Sequence, residues 1–386
     1  MLPRTFLVLA PAALAACGHL TATEAMSKLE DAVVDAVDRE TAGARSAVLR
    51  VDAPSLGVEG VWAAGTATVS NGAAFDADTP FLSASVGKLF TATAVMALAD
   101  RGELGLDDAV ADWVDGEVLD GLPVDGDVEA ITVRQLLSHH SGLPDPFDPS
   151  ESKTNDGALS LFEQLVEDPD RAWTRDQSLA YLKDHYDPAG APGDRFQYSD
   201  ANYDLLGLVL EGATGHPFDQ VVVDEVIAPL GLSHTWYHTL AAPPEGLDYA
   251  DVWVEDQNLK GAASLTLDGA AGGLATTTGD LGVFIRALVD GAPVDLDALA
   301  TDWEKGALHG GIDYGYGAWQ IRPGGVFFLL GGSPDLVGVS GMTGAYVYYV
   351  PEWDAVISGT FNQTDWQSKH VSWLLSQVLP PLGRIE

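Results

Sequence analysis

Ser85 and Lys88 stand three residues apart in a stretch, Phe81 to Ala99, in which Lys88 is the one charged residue. An alcohol is a weak nucleophile at its own pKa and needs a neighbouring base. Three residues is close to one helical turn, so the amine of Lys88 can reach the hydroxyl of Ser85 on one helix face. Val86, Leu89, Phe90, Val95, Met96 and Leu98 make the run apolar nearly all round, which predicts a buried helix. Arg101-Gly102 ends it, and Ser85 falls at its N-cap or first turn. Burial pushes a lone lysine towards the neutral amine, which beside a hydroxyl is a general base. The competing reading is a lysine that snorkels to the surface or pairs with a carboxylate.

The Ser-x-x-Lys spacing alone decides little, because Ser150-Glu151-Ser152-Lys153 repeats it. That copy lies among Pro144, Pro146, Asp148, Pro149, Asn155 and Gly157, a polar, proline-rich loop with nothing to desolvate a lysine. The surrounding loop, 143–157, reads as solvated or as a lid over a site. His139-His140-Ser141 suggests a Ser-His hydrolase, but the chain has no Gly-x-Ser-x-Gly elbow, and loop packing is the better reading. His234 and His238 have i, i+4 spacing without a glutamate between them, so no metal site is expected, and no cofactor.

The chain has 386 residues, of which 46% are hydrophobic, enough for one large or two interleaved folding units. Its 57 acidic against 19 basic residues give a net charge of −38, which argues against nucleic acid or an anionic membrane surface as partner. Met1 to Arg4 is a short basic start, Thr5 to Ala16 is apolar, and Leu14-Ala15-Ala16-Cys17 resembles a bacterial lipobox. The expectation is export with lipid attachment at Cys17, the sole cysteine; ordinary signal cleavage is the alternative. A lipid anchor would be the one membrane contact, since no later stretch reads as a span.

An amphipathic helix is expected over 22–42 and strands over Ser46–Val51 and Gly60–Val69, with Asn71-Gly72 as a turn. Further helices are expected at Ile131–Ser138 (capped by Thr132), 158–168, 175–185, Ala201–Thr214 and 217–229, with another from Thr278 to Val289. Strand-like runs fill Tyr314–Ile321, Gly325–Leu330, Ala345–Val350 and Ala355–Phe361. A last helix, Val371 to Leu379, is expected to stop at Pro380-Pro381. Strands at both ends and helices between predict an α+β fold, with one antiparallel sheet built from both ends and a mainly helical insertion. In residues, the division is a 1–17 signal segment, a discontinuous sheet unit of 22–80 and 278–386, and a helical unit of 81–277. A site would lie in the crevice between the last two.

From Phe81 to Asn362 the chain resembles the serine β-lactamase and penicillin-binding-protein group, in its class C-like branch of esterases and D,D-peptidases. The resemblance rests on Phe81-Leu82-Ser83-Ala84-Ser85-Val86-Gly87-Lys88-Leu89, on Leu136-Leu137-Ser138-His139-His140-Ser141-Gly142-Leu143, and on Pro192-Gly193-Asp194-Arg195-Phe196-Gln197-Tyr198-Ser199-Asp200. Pro229-Leu230-Gly231-Leu232 and Ala271-Gly272-Gly273-Leu274-Ala275-Thr276 add two more blocks. It implies a five-stranded antiparallel sheet with flanking helices. It also implies Ser85 as acylated nucleophile, Lys88 as its proton acceptor or tuner, and Tyr198 as second base. The third motif falls at Val339-Ser340-Gly341, and the backbone amides of Ser85 and Met342 form the implied oxyanion hole.

Two departures bear on chemistry. Val339 stands where the group has a lysine or histidine, which removes a cation that would hold a substrate carboxylate. Asp200 stands where asparagine is usual, and an ionised Asp200 near Lys88 would raise the lysine pKa and shift the burden of base to Tyr198. The expectation is a serine hydrolase acting on a small ester, amide or peptide. The alternatives are a D,D-carboxypeptidase or β-lactamase, and a non-catalytic surface lipoprotein that binds cell-wall fragments or a partner.

Overall fold

A computed structural model of the protein describes residues 18–38, 43–148 and 153–386. The N-terminal segment with Cys17 and most of the second Ser-x-x-Lys copy lie outside the described residues.

Helix α1 (Ala22–Asp38) precedes strands β1 (Ser46–Ala53), β2 (Val58–Thr68) and β3 (Ala73–Ala74). The centre of the chain supplies α2 (Gly87–Asp100), α3 (Val133–Leu137), α4 (Ala201–Thr214) and α5 (Thr278–Val289). The last third returns β4 (Glu304–His309), β5 (Ile312–Tyr314), β6 (Trp319–Ile321), β7 (Leu336–Ser340), β8 (Tyr346–Val350) and β9 (Ala355–Thr360). Among the described residues these strands form one antiparallel sheet in the order β3-β2-β1-β9-β8-β7-β6-β5-β4. The two ends of the chain meet where β1 pairs with β9, Val48 opposite Thr360.

The α+β, β-lactamase/transpeptidase-like architecture is as expected, but the sheet has nine strands rather than five. The Asn71-Gly72 turn adds β3 at one edge, and residues 304–321 add β4, β5 and β6 at the other. Both faces are covered over the central strands, which is why β7, β8 and β9 read as nearly continuous apolar runs. On one face Leu49, Val51, Tyr348 and Ile357 pack with Leu29 and Val33 of α1 and with Leu374 and Val378 near the C-terminus. On the other, Val48, Val339, Val347 and Val356 pack into a core shared with α5, α2 and α4. Phe90 of α2 stacks on Phe284 of α5 with ring centroids 3.9 Å apart.

Helix α2 is buried along Gly87 to Leu98, as its apolar circumference requires, and α4 and α5 keep their expected limits. Thr132 caps α3 in a reciprocal box with Gln135. Three segments differ. Tyr314–Ile321 is a hairpin, β5 and β6, with the Gly315 amide bonded to the Ala318 carbonyl. Gly325–Leu330 is two short helical turns, because Pro323 starts a turn that the close backbones of Gly324 and Gly331 hold. Helical structure also continues through Pro380-Pro381. The turn before it widens to a π-type segment, Leu374–Val378, and the prolines occupy a new first turn, where no amide is needed.

Candidate active site

Residues 82–86 form a tight corner that enters α2. Ser83 donates through both its amide and its hydroxyl to the Leu274 carbonyl, each at 2.9 Å. Thr343 Oγ1 donates to the Leu82 carbonyl at 2.9 Å. Ala84 is held at φ 46°, a left-handed conformation rare for a residue with a Cβ, and this turns the next residue, Ser85, towards the crevice. Two glycines permit the corner. A Cβ on Gly341 would lie 2.2 Å from the Ser83 carbonyl oxygen, and one on Gly272 would lie 2.9 Å from the Ala84 carbonyl carbon.

The structure brings Ser85, Lys88 and Tyr198 together. Ser85 Oγ lies 3.1 Å from Lys88 Nζ and 3.1 Å from Tyr198 Oη. Lys88 Nζ also donates to the Ala271 carbonyl at 3.0 Å and lies 2.6 Å from Asp200 Oδ1. The side chain of Lys88 is 1% exposed, yet three acceptors surround its three N–H groups, which matches an ammonium rather than a neutral amine. Burial pushes the Lys88 amine down. The Asp200 carboxylate, with Tyr198, outweighs that and holds its pKa above the ordinary lysine value. The neutral-amine expectation from the helix alone is thereby corrected: the carboxylate that the helix could not reveal is Asp200.

Burial pushes the Tyr198 phenol up to about 12; Lys88 opposes this shift and Asp200 adds to it. The buried His139 lies beside the phenol, ring centroids 4.3 Å apart. Its Nδ1 accepts from the Ser199 amide, at 3.2 Å, so Nε2 carries the proton and donates to Tyr314 Oη at 3.0 Å. Ser141 Oγ donates to Asn202 Oδ1. The His139-His140-Ser141 block therefore anchors the Tyr198 loop and supplies no nucleophile.

Val339 faces the core shared with α2, and its neighbour in the pleat faces the opposite way. Ser340 Oγ sits on that far face, 2.6 Å from both Tyr348 Oη and His370 Nε2. Its hydroxyl does not reach Ser85. Of the third motif, only the Gly341 backbone adjoins the corner, together with Met342 and Thr343 beyond it. The amides of Ser85 and Met342 have no hydrogen-bond acceptor among the described residues. No cluster of His, Cys, Asp or Glu suited to a metal ion occurs among those residues, and no helix there is long and apolar enough to cross a membrane.

Sequence reasoning missed three carboxylates near Lys88: Asp145, Asp204 and Asp268. Burial pushes each up to about 7, and the negative charge of Asp200 acts in the same direction on all three. No spacing links these positions; only folding gathers them. They make stability pH-dependent. A carboxyl whose folded value lies above its unfolded value of 3.8 binds protons better when folded, so stability falls as pH rises from about 4 through 7. For Asp204, 5% exposed, this amounts to about 4 kcal/mol above pH 7. Asp204→Asn is expected to melt several degrees above the parent at pH 8 and near it at pH 5. Thermal melts at the two pH values check this; an equal offset at both contradicts it.

A hydroxyl, an ammonium and a phenol at a helix start, over a sheet made from both ends of the chain, define a serine-hydrolase type of site on a β-lactamase/transpeptidase-like fold. The chain belongs to the Beta-lactamase family, whose family model matches residues 22–377. It is similar in structure to a D-stereospecific amidohydrolase from Streptomyces sp., with 25% sequence identity, a TM-score of 0.71, and coverage of 91% of this chain and 98% of that one. A D-amino acid amidase from Ochrobactrum anthropi SV3 shares the fold at a TM-score of 0.74 and 23% identity, over 93% of this chain and 98% of that one. Among curated relatives, Protein flp of Staphylococcus aureus (strain MW2) is 33% identical over 154 residues, 40% of this chain and 27% of flp. Penicillin-binding protein 4 of Amycolatopsis lactamdurans is 32% identical over 189 residues, 48% of this chain and 42% of that protein. The matches thus span less than half the length of these relatives.

Proposed function

We propose that this protein is a serine hydrolase that acylates Ser85 with the carbonyl of an ester or amide and releases the acyl group to water. The observation that carries the reading is Ser85 Oγ lying 3.1 Å from both the Lys88 amine and the Tyr198 phenol. With Lys88 held as an ammonium by Asp200, Tyr198 is the base. Its phenolate takes the Ser85 proton as Oγ bonds to the carbonyl carbon. The oxygen that gains charge is met by the Ser85 and Met342 amides. Tyr198 then returns the proton to the leaving alkoxide or amine as its bond to the carbonyl carbon breaks. In the second half Tyr198 takes a proton from water, which attacks the acyl carbon, and hands it to Ser85 Oγ as that leaves.

Forming the phenolate at pH 7 costs about 7 kcal/mol for a phenol pushed up to about 12, so the rate should climb with pH. Asp200 raises the Tyr198 phenol and holds the Lys88 proton, so Asp200→Asn lowers both. The rising limb of log kcat/KM is expected to move to lower pH by about one unit in that variant. Profiles that superimpose would mean the groups are not coupled.

Val339 offers no cation for a substrate carboxylate, which supports neutral esters, amides and modified peptides over penicillins. The Streptomyces amidohydrolase supports an amide as one such substrate. Export and anchoring through Cys17 are supported by the pattern of residues 1–17. The test is treatment with a fluorophosphonate and, separately, a chromogenic ester and a cephalosporin, followed by peptide mass spectrometry. An adduct on Ser85 is expected. Absence of any adduct across pH 6–10 would leave the binding-lipoprotein reading in its place.

A further inference from the structure

The segment that joins β6 to β7 contrasts with the acidic chain around it. From Pro323 to Pro334 it carries no charged residue, and Phe328 and Leu329 at its tip are 77% and 50% exposed. Phe328 is the most exposed large apolar side chain among the described residues. Apolar residues scattered over a surface mean little, but two neighbours held so far into water mark a contact. The backbone beneath gives them no retreat. A Cβ on Gly324 would lie 2.8 Å from Gly331 Cα, and one on Gly311 would lie 2.3 Å from the Val326 amide nitrogen, so the base of the segment is held closed. Val326 and Leu330 pack inwards against the core beneath α1, and the Phe327 and Phe328 rings lie 5.5 Å apart.

Register puts this tip at one end of the sheet and Ser85 at the other. Ile321 pairs with Leu336 at the base of the segment, whereas Gly341, which backs the Ser85 corner, follows the far end of β7. The tip's end also holds the hairpin between β1 and β2 and the turn between β8 and β9. Ala22 lies beside Gly57 of that hairpin, Gly383 lies beside Trp353 of that turn, and Arg384 donates to the Gly18 carbonyl at 2.7 and 3.0 Å. Gly18, the residue after Cys17, is therefore at the same end as Phe328 and Leu329. Two side chains are too few for a stable pairing of copies: an aromatic residue buries about 150–250 Å², against about 800 Å² per partner in a specific interface. Asp335, Glu352 and Glu386 are exposed at that end, which suits a surface without net negative charge.

We propose that Phe328 and Leu329 dip into the headgroup–acyl boundary of a zwitterionic bilayer, as a second contact beside the lipid on Cys17. The inference rests on the reading of Cys17 as the attachment site. A lipid attachment gains hold from a second signal, and this tip supplies one without charge. With the tip in the bilayer, the Ser85 crevice faces water at the opposite end of the sheet, and substrate reaches it from solution rather than from the lipid plane.

The test uses the lipid-modified chain carrying Leu329→Cys, labelled with an environment-sensitive fluorophore and reconstituted on phosphatidylcholine vesicles. With Cys17 acylated, position 329 holds the one free thiol. The emission is expected to shift to the blue and to be quenched by spin-labelled lipid, whereas the same label in Asn71→Cys, exposed at the crevice end, stays water-like. Adding Phe328→Ser to the chain labelled at 329 is expected to lose much of the shift. A label at 329 as wet as the one at 71 overturns the inference. So does a shift that Phe328→Ser leaves unchanged, which would mean that the fluorophore and not the tip seeks lipid. A label that is shielded yet unquenched by spin-labelled lipid, with paired copies captured by crosslinking, assigns the tip to a second copy and overturns it too. Cys17 found unmodified by peptide mass spectrometry instead overturns the attachment reading, and the inference with it.

Discussion

Ser85→Ala is expected to abolish covalent labelling and to lower kcat/KM for any ester or amide substrate by at least about 10⁴-fold. The magnitude comes from the shared work of the site. Lys88 and Tyr198 both converge on Ser85 Oγ, so without the hydroxyl the ammonium and the phenol have no atom on which to act. Ser85 is only partly buried, and its removal leaves Lys88 with the Ala271 carbonyl and Asp200. Stability should change by no more than about 1 kcal/mol, so a denaturant melt on the same sample separates lost chemistry from lost folding. Turnover by the variant at the parental rate would refute the assignment.

Lys88→Met should be damaging twice over. It removes the cation that stabilises the Tyr198 phenolate, and at least about 10³-fold in acylation rate should go with it. It also leaves Asp200 without its partner in a pocket that already holds Asp145, Asp204 and Asp268. Breaking a buried pair on one side costs about 3–5 kcal/mol. The sign of its pH dependence is fixed: an orphaned carboxyl takes up a proton more readily in the folded protein, so the stability loss is larger at pH 8 than at pH 5. Urea melts at the two pH values, with fluorophosphonate labelling rates alongside, check both halves. A variant of parental stability at pH 8 would show that Asp200 does not depend on Lys88 for its charge.

How much was legible from the chain depends on the range of the interaction that fixes each feature. Helix α2 could be read because an apolar circumference with one lysine has few other outcomes, and α3 because Thr132 and Gln135 write their own cap. The position of Gly341 came from a resemblance, and its physical reason, contact with the Ser83 carbonyl, needed both segments in place. Strand β4 escaped notice because Glu304, Lys305 and Gly306 make a poor strand signal at an exposed sheet edge. The turns at 325–330 read as a strand because apolar residues without a clear period suit either form. The charge state of Lys88 depended on Asp200, 112 positions away, and the gathered carboxylates have no local signature at all.

The corner that carries Ser85 is clamped by backbone against backbone, with Gly272 and Gly341 leaving no room for side chains between the segments. Phe162, Leu165 and Val254 border a small cavity beside that corner and take no part in the clamp. Diversity placed at 272 or 341 should yield almost no acylation-competent variants, because any side chain there meets the backbone of the corner.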